Sequence, residues 1–212
     1  MPGTHLPAED RAMRFLALGD SYTIGESVPP ADRWPVQLAA MLCERGIAIG
    51  EPEIIATTGW TTGELAEGIR RAAPRGPYDL VSLLIGVNNQ YRGRPLEEYR
   101  QQFRELLGQA ICFAGGEPGR VLVLSIPDWG VTPFGEGRDR AAIAREINVF
   151  NTANHDGATR AGARYVDVTP ASRMAAYDRG LVASDGLHPS GAMYRRWAEL
   201  ALPAALAALG RE

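Results

Sequence analysis

This sequence predicts a three-layer α/β/α fold, with a five-stranded parallel sheet covered by helices on both faces. Three observations carry that expectation. Short apolar runs rich in β-branched residues recur five times along the chain. Segments with helical periodicity fill the gaps between them. The runs are continuous rather than alternating, as strands buried on both faces require.

The strand candidates cover residues 14–19, 53–57, 80–85, 120–125 and 164–168. Between the first two, Trp34, Leu38, Met41 and Leu42 form one helical stripe, with Pro35 in the opening turn. Residues 62–72 form a weaker helical pattern. A stronger one starts at Pro95 and sets Leu96, Tyr99, Phe103, Leu106, Leu107 and Ile111 on one face. Ile143, Ile147 and Phe150 mark a fourth helix, and Tyr194, Trp197, Leu200 and Ala201 mark the last. Crossovers between parallel strands are right-handed, and such sheets bind ligands beyond the carboxyl ends of their strands. Gly19-Asp20-Ser21, Thr58-Gly59, residues 86–89 and residues 127–130 each follow a strand candidate, so one rim is expected to hold them all. The irregular stretches 26–33 and 126–137 are expected to wall the cleft.

With 212 residues and 45% hydrophobic composition, the chain fits one domain over residues 13–212, preceded by a flexible lead over 1–12. A net charge of -3 and a pI near 5.7 argue against nucleic acid as a partner. No apolar run reaches the roughly 18–20 residues that span a bilayer, so no membrane partner is expected either. The first ten residues lack a basic start and an apolar signal core, which makes the cytoplasm the expected location. Cys43 and Cys112 sit in helical segments beside apolar residues and read as buried free thiols. All 22 basic residues are arginine. The absence of lysine removes Ser-Lys dyads, Schiff-base chemistry and Walker-type phosphate loops together.

Ser21 follows directly on the first apolar run, where a serine is a candidate nucleophile if a base reaches it. Of the three histidines, His5 lies in the lead and His155 inside a helical pattern, where it reads as a helix-surface residue. His188 differs, because Pro189 biases it toward an extended conformation and Asp185 precedes it across a Gly-containing turn. An Asp three residues before a His can accept from Nδ1–H and leave Nε2 free for a hydroxyl. The same residues also read as a capped turn with a loop histidine. Two such groups without a third ligand do not make a zinc site. Acyl transfer further needs donors aimed at a developing oxyanion. The Ser21 N–H, the Gly59 N–H and the Asn88 amide follow three strand candidates in succession, although singly Gly59 is a loop glycine and Asn88 a turn residue.

Together these four stretches resemble, in order, the four blocks of the SGNH (GDSL-like) hydrolase superfamily, whose members include esterases and lysophospholipases. Gly19-Asp20-Ser21 is similar to the nucleophile block, Gly59 to the glycine block, Gly86-Val87-Asn88 to the G-x-N block, and Asp185-Gly186-Leu187-His188 to the final D-x-x-H. The resemblance implies a flavodoxin-like sandwich. It also implies Ser21 as nucleophile, His188 as base and then acid, Asp185 as its orienter, and Ser21, Gly59 and Asn88 as the oxyanion hole. Two positions depart from the family pattern: Tyr22 replaces the leucine of the GDSL name, and Asn89 stands where many members have Asp. Asp20 reads as a tie between the nucleophile loop and nearby backbone rather than as a chemical group. The turn is not a G-x-S-x-G elbow, which argues against an α/β-hydrolase.

The implied reaction is a two-step hydrolysis of small to medium soluble esters through an acyl-enzyme, without metal or cofactor. A carbohydrate or xenobiotic O-deacetylase and an acyltransferase are alternatives on the same site. A non-catalytic flavodoxin-like module holding a phosphate or nucleotide is the alternative of a different class. Trp60, Asn89, Tyr91, Arg92 and Trp129 are candidates to line the substrate pocket; rim packing and capping are the other reading of each. Arg92 would either meet an acidic substrate group or pair with Glu97 or Glu98. No long lid and no amphipathic lid helix is evident, which disfavours an interfacially activated lipase.

Overall fold

Five strands run parallel in the computed structural model, which describes residues 11–211. His5 and most of the expected lead therefore lie outside the described residues. The strands are Phe15–Gly19 (β1), Glu53–Ala56 (β2), Leu80–Leu84 (β3), Val121–Leu124 (β4) and Arg164–Val166 (β5). Each falls within its expected segment. The apolar runs overstate them by one or two residues: Arg14 and Arg120 precede the ladder, and the last residues of all but the first run leave it for the rim turns. The first four residues of β1, Phe15 to Leu18, are at most 1% exposed, as are Leu80, Val81, Leu83 and Leu84 of β3.

Helices lie between and after the strands: Ser21–Ile24 (α1), Trp34–Glu44 (α2), Thr62–Ala72 (α3), Val87–Tyr91 (α4), Leu96–Phe113 (α5), Arg140–Ala161 (α6), Thr169–Ser172 (α7) and Gly191–Ala208 (α8). α2 packs on α8 in one layer, and α3, α5 and α6 form the other. The second layer fits closely: Phe103 of α5 meets Gly157 of α6, where a Cβ would lie 3.1 Å from its ring. Three details depart from expectation. Leu200 is 46% exposed, since it is turned away from the Tyr194, Trp197 and Ala201 stripe that faces the core. Cys43 and Cys112 are free thiols but exposed. Cys43 sits one residue past buried Leu42 and Cys112 two past buried Ala110, rotations of about 100° and 200° off the buried stripes.

The strand order is β2-β1-β3-β4-β5. After β1 the chain moves outward to β2, then crosses back to β3, so the order reverses beside β1. Gly19 is level with Ala56 of β2 and with Leu84 of β3. Three chain segments therefore leave the sheet at the same height: residues 20–21, 57–59 and 85–88. Among the described residues no helix is long and apolar enough to cross a membrane.

Candidate active site

At the end of β1 the backbone has no room for a side chain. A Cβ on Gly19 would lie 2.6 Å from the Leu84 carbonyl oxygen and collide with the Thr23 side chain, which folds back over it. Asp20 follows, fully buried, and its Oδ1 accepts the Tyr22 N–H at 3.0 Å. That cap starts α1 with Ser21 as its first residue. Gly25, at φ 69°, ends the turn, and the N–H groups of Gly25 and Glu26 both donate to the Ser21 carbonyl at 3.0 Å. A one-turn helix thus fixes the Ser21 backbone from both ends. Burial raises the Asp20 carboxyl from its usual 3.8 to about 7, against the pull of the Tyr22 N–H. Its second oxygen has no partner among the described residues.

Beyond β2, Gly59 takes φ +85°, a left-handed conformation that suits glycine. Thr61 then caps α3 in a reciprocal box with Glu64. α4 clamps this turn with successive side chains. Asn88 Nδ2 donates to the Trp60 carbonyl at 2.9 Å, which leaves its second amide N–H free. Asn89 accepts the Thr62 N–H at 3.0 Å and donates to the Thr62 hydroxyl at 2.8 Å. Arg92 donates to the Gly59 carbonyl at 2.5 Å and lies 3.3 Å from Glu64.

The last segment is the turn ahead of α8. Asp185 Oδ1 accepts the N–H groups of Leu187 and His188, each at 2.9 Å. Its Oδ2 lies 2.6 Å from His188 Nδ1 and accepts the Ser27 hydroxyl at 2.7 Å. Burial pushes the Asp185 carboxyl upward, but the His188 ring, the two N–H groups and Ser27 outweigh it and hold it well below the usual carboxylate range. The Tyr22 ring meets the imidazole edge-on, 5.6 Å between centroids, and Trp197 backs Tyr22 at 6.0 Å. The residue that departs from the family's leucine is therefore a wall for the histidine.

These segments converge on one open cleft of about 510 Å³, lined by Ser21, Tyr22, Thr58, Gly59, Val87, Asn88, Tyr91, Trp129, Phe134, Leu187 and His188. Within it, no hydrogen bond joins the Ser21 hydroxyl to His188. Tyr91, Trp129 and Phe134 form an aromatic wall, with Tyr91 and Trp129 5.4 Å apart and Trp129 and Phe134 5.8 Å apart. The Trp129 Nε1–H donates to Gln90 Oε1 at 2.9 Å, which fixes that ring. The Asp128–Arg173 pair, at 2.9 Å, holds the loop beneath it.

Three pocket candidates lie elsewhere. Asn89 is fully buried and turned to the start of α3. The Trp60 ring covers Gly68 of α3, where a Cβ would collide with it, and only its carbonyl turns toward Asn88. Arg92 pairs with Glu64 rather than Glu97 or Glu98. His155 is exposed on α6 with its ring edge-on to Tyr165 at 4.7 Å. Val87, Phe134 and Leu187 line the cleft without a motif of their own. Tyr22 and Leu187 carried a signal in their adjacency to Ser21 and His188.

The sequence model of the GDSL-like Lipase/Acylhydrolase family matches residues 17–196. No curated protein matches the chain by sequence. Among solved structures, TesA is 19% identical at a TM-score of 0.71, over 93% of this chain and 100% of its own. The psychrotrophic esterase EstA from Pseudoalteromonas sp., inhibited by monoethylphosphonate in that structure, is 15% identical at 0.70, over 93% of this chain and 99% of its own. The acetylxylan esterase Axe2 from Geobacillus stearothermophilus is 19% identical at 0.67, over 94% of this chain and 95% of its own. At these identities the likeness is one of fold.

Proposed function

This chain belongs to the GDSL-like lipase/acylhydrolase family of ester-hydrolysing enzymes, and on that premise we propose that it cleaves small to medium soluble carboxylic esters through an acyl-enzyme on Ser21. The observation that carries the reading is the convergence of Ser21, Gly59, Asn88 and His188 on one cleft, with His188 Nδ1 held by Asp185. In the proposed first step, His188 Nε2 takes the Ser21 proton as Oγ attacks the acyl carbonyl. A turn of the serine side chain toward His188 belongs to that step, since such bonds tighten in the substrate complex. Asp185 holds the ring in the tautomer with Nδ1 protonated and stabilises the imidazolium that forms. The carbonyl oxygen, becoming negative, meets the Ser21 N–H, the Gly59 N–H and the free N–H of the Asn88 amide. The imidazolium then protonates the leaving alcohol. Water activated by the same ring releases the acid and restores Ser21.

The aromatic wall of Tyr91, Trp129 and Phe134 supports an apolar acyl or alcohol group of modest size. A fluorophosphonate probe is expected to label Ser21 and no other residue. A p-nitrophenyl ester series is expected to show highest kcat/KM at short to medium acyl length. Activity confined to acetyl esters would move the reading to an O-deacetylase, and failure to label would return it to a binding module. Asn88→Ala is expected to lower kcat by about 10²-fold with little change in KM, because the lost donor acts on the transition state. An equal rise in KM at constant kcat would instead assign Asn88 to substrate binding.

A further inference from the structure

Three of the four bonds that hold Asp185 arise within its own turn: the N–H groups of Leu187 and His188, and the His188 ring. They shape the turn but do not relate it to Ser21. The fourth comes from Ser27, 158 residues away, whose hydroxyl reaches the same oxygen that faces His188. Ser27 stands two residues beyond Gly25, on the loop whose N–H groups hold the Ser21 carbonyl. Its neighbour Glu26 accepts the hydroxyl of Thr58, next to Gly59. Ser27 also has φ 64°, one of two non-glycine residues at positive φ among those described. Glycine is the relaxed choice there, and strained residues persist where the strain serves the site.

We propose that Ser27 is a positioning residue for the acyl-transfer reaction. Its hydroxyl ties the Asp185–His188 turn to the nucleophile loop, while Glu26 ties the same loop to the oxyanion turn. Both neighbours thereby set the distances among nucleophile, base and oxyanion donor from one short segment. The proposal rests on the roles given above to Ser21, His188 and Asp185.

Two variants separate this from a merely structural role. Ser27→Gly removes the hydroxyl and relaxes the backbone, whereas Ser27→Ala removes the hydroxyl and keeps the strain. Both are expected to lower kcat on p-nitrophenyl butyrate by about three- to tenfold with KM within about twofold, the modest size reflecting that water can reach this exposed position. Thermal midpoints are expected to part, holding or rising in Ser27→Gly and falling in Ser27→Ala. The far-downfield proton resonance of the Asp185–His188 bond, read without substrate, is expected to move in both variants. Wild-type kcat together with an unmoved resonance in Ser27→Gly would overturn the proposal, as would kcat following the thermal midpoint across the two variants. A wild-type chain inactive on every ester would fail the catalytic reading instead, and the resonance alone would then decide whether Ser27 positions Asp185.

Discussion

Ser21→Ala and His188→Ala are each expected to lower kcat/KM on the best p-nitrophenyl ester by about 10⁴–10⁶-fold, and the double variant by no more than the worse single one. Nucleophile and base act as a unit, so removing either leaves only what binding and the oxyanion donors supply. Additive losses would mean that the two side chains act independently, and an intact Ser21→Ala enzyme would sink the acyl-enzyme. Asp185→Asn is expected to cost about 10⁴-fold, since an amide in that position favours the wrong imidazole tautomer. Folding should survive the serine substitution. Ser21 is 5% exposed, its hydroxyl makes no hydrogen bond with a described residue, and alanine fits the same turn. A thermal midpoint close to the parent would show that the loss lies in the chemistry.

The parts of this site legible in the sequence are those that chain adjacency fixes. Ser21, Gly59 and Asn88 follow their strands by two to four positions, and the register of Gly19, Ala56 and Leu84 brings the three exits to one height. Asp185 and His188 share one turn just ahead of α8. Continuous apolar runs mark β1, β3 and β4 because both faces of each are covered, whereas the edge strands β2 and β5 are buried only toward their carboxyl ends. What adjacency does not give is the direction of a side chain. Asn88 and Asn89 are neighbours, yet α4 turns them about 100° apart, one toward the cleft and the other into the start of α3. Arg92 lies closer in sequence to Glu97 and Glu98 than to Glu64, but α3 is the nearer neighbour in space. The short helices α1 and α4 were invisible to periodicity, being too brief to show a stripe. Phe134 and Leu187 line the cleft because of the path of an irregular loop and a tight turn, neither of which carries a period. Ser27 was unremarkable as a residue type, and its meaning depends on a left-handed φ and a partner 158 positions on.

A buried carboxyl beside the nucleophile should leave its mark on stability. In the unfolded chain Asp20 releases its proton near 3.8, but in the fold burial holds that proton to about 7. Between those values the folded state binds a proton that the unfolded state has lost, so the free energy of unfolding falls as pH rises. Over about three pH units at roughly 1.4 kcal/mol per unit, the loss amounts to about 4 kcal/mol and levels off above neutrality. Asp185 acts with the opposite sign and in a lower window. Its depressed pKa contributes stability that is present above the unfolded value of 3.8 and is lost as pH falls below it. Asp20→Asn keeps an acceptor for the Tyr22 N–H and cannot ionise. It is expected to match the parent near pH 4, to exceed it by about 4 kcal/mol at pH 8, and to lack the decline between them. Urea midpoints from pH 3 to 8 measure this directly. Equal slopes in parent and variant would mean that Asp20 ionises in the fold as it does in the open chain. If the slope disappears while kcat at neutral pH is retained, Asp20 serves the site as the cap that holds Ser21, and its charge is a cost the fold carries for the position of that cap.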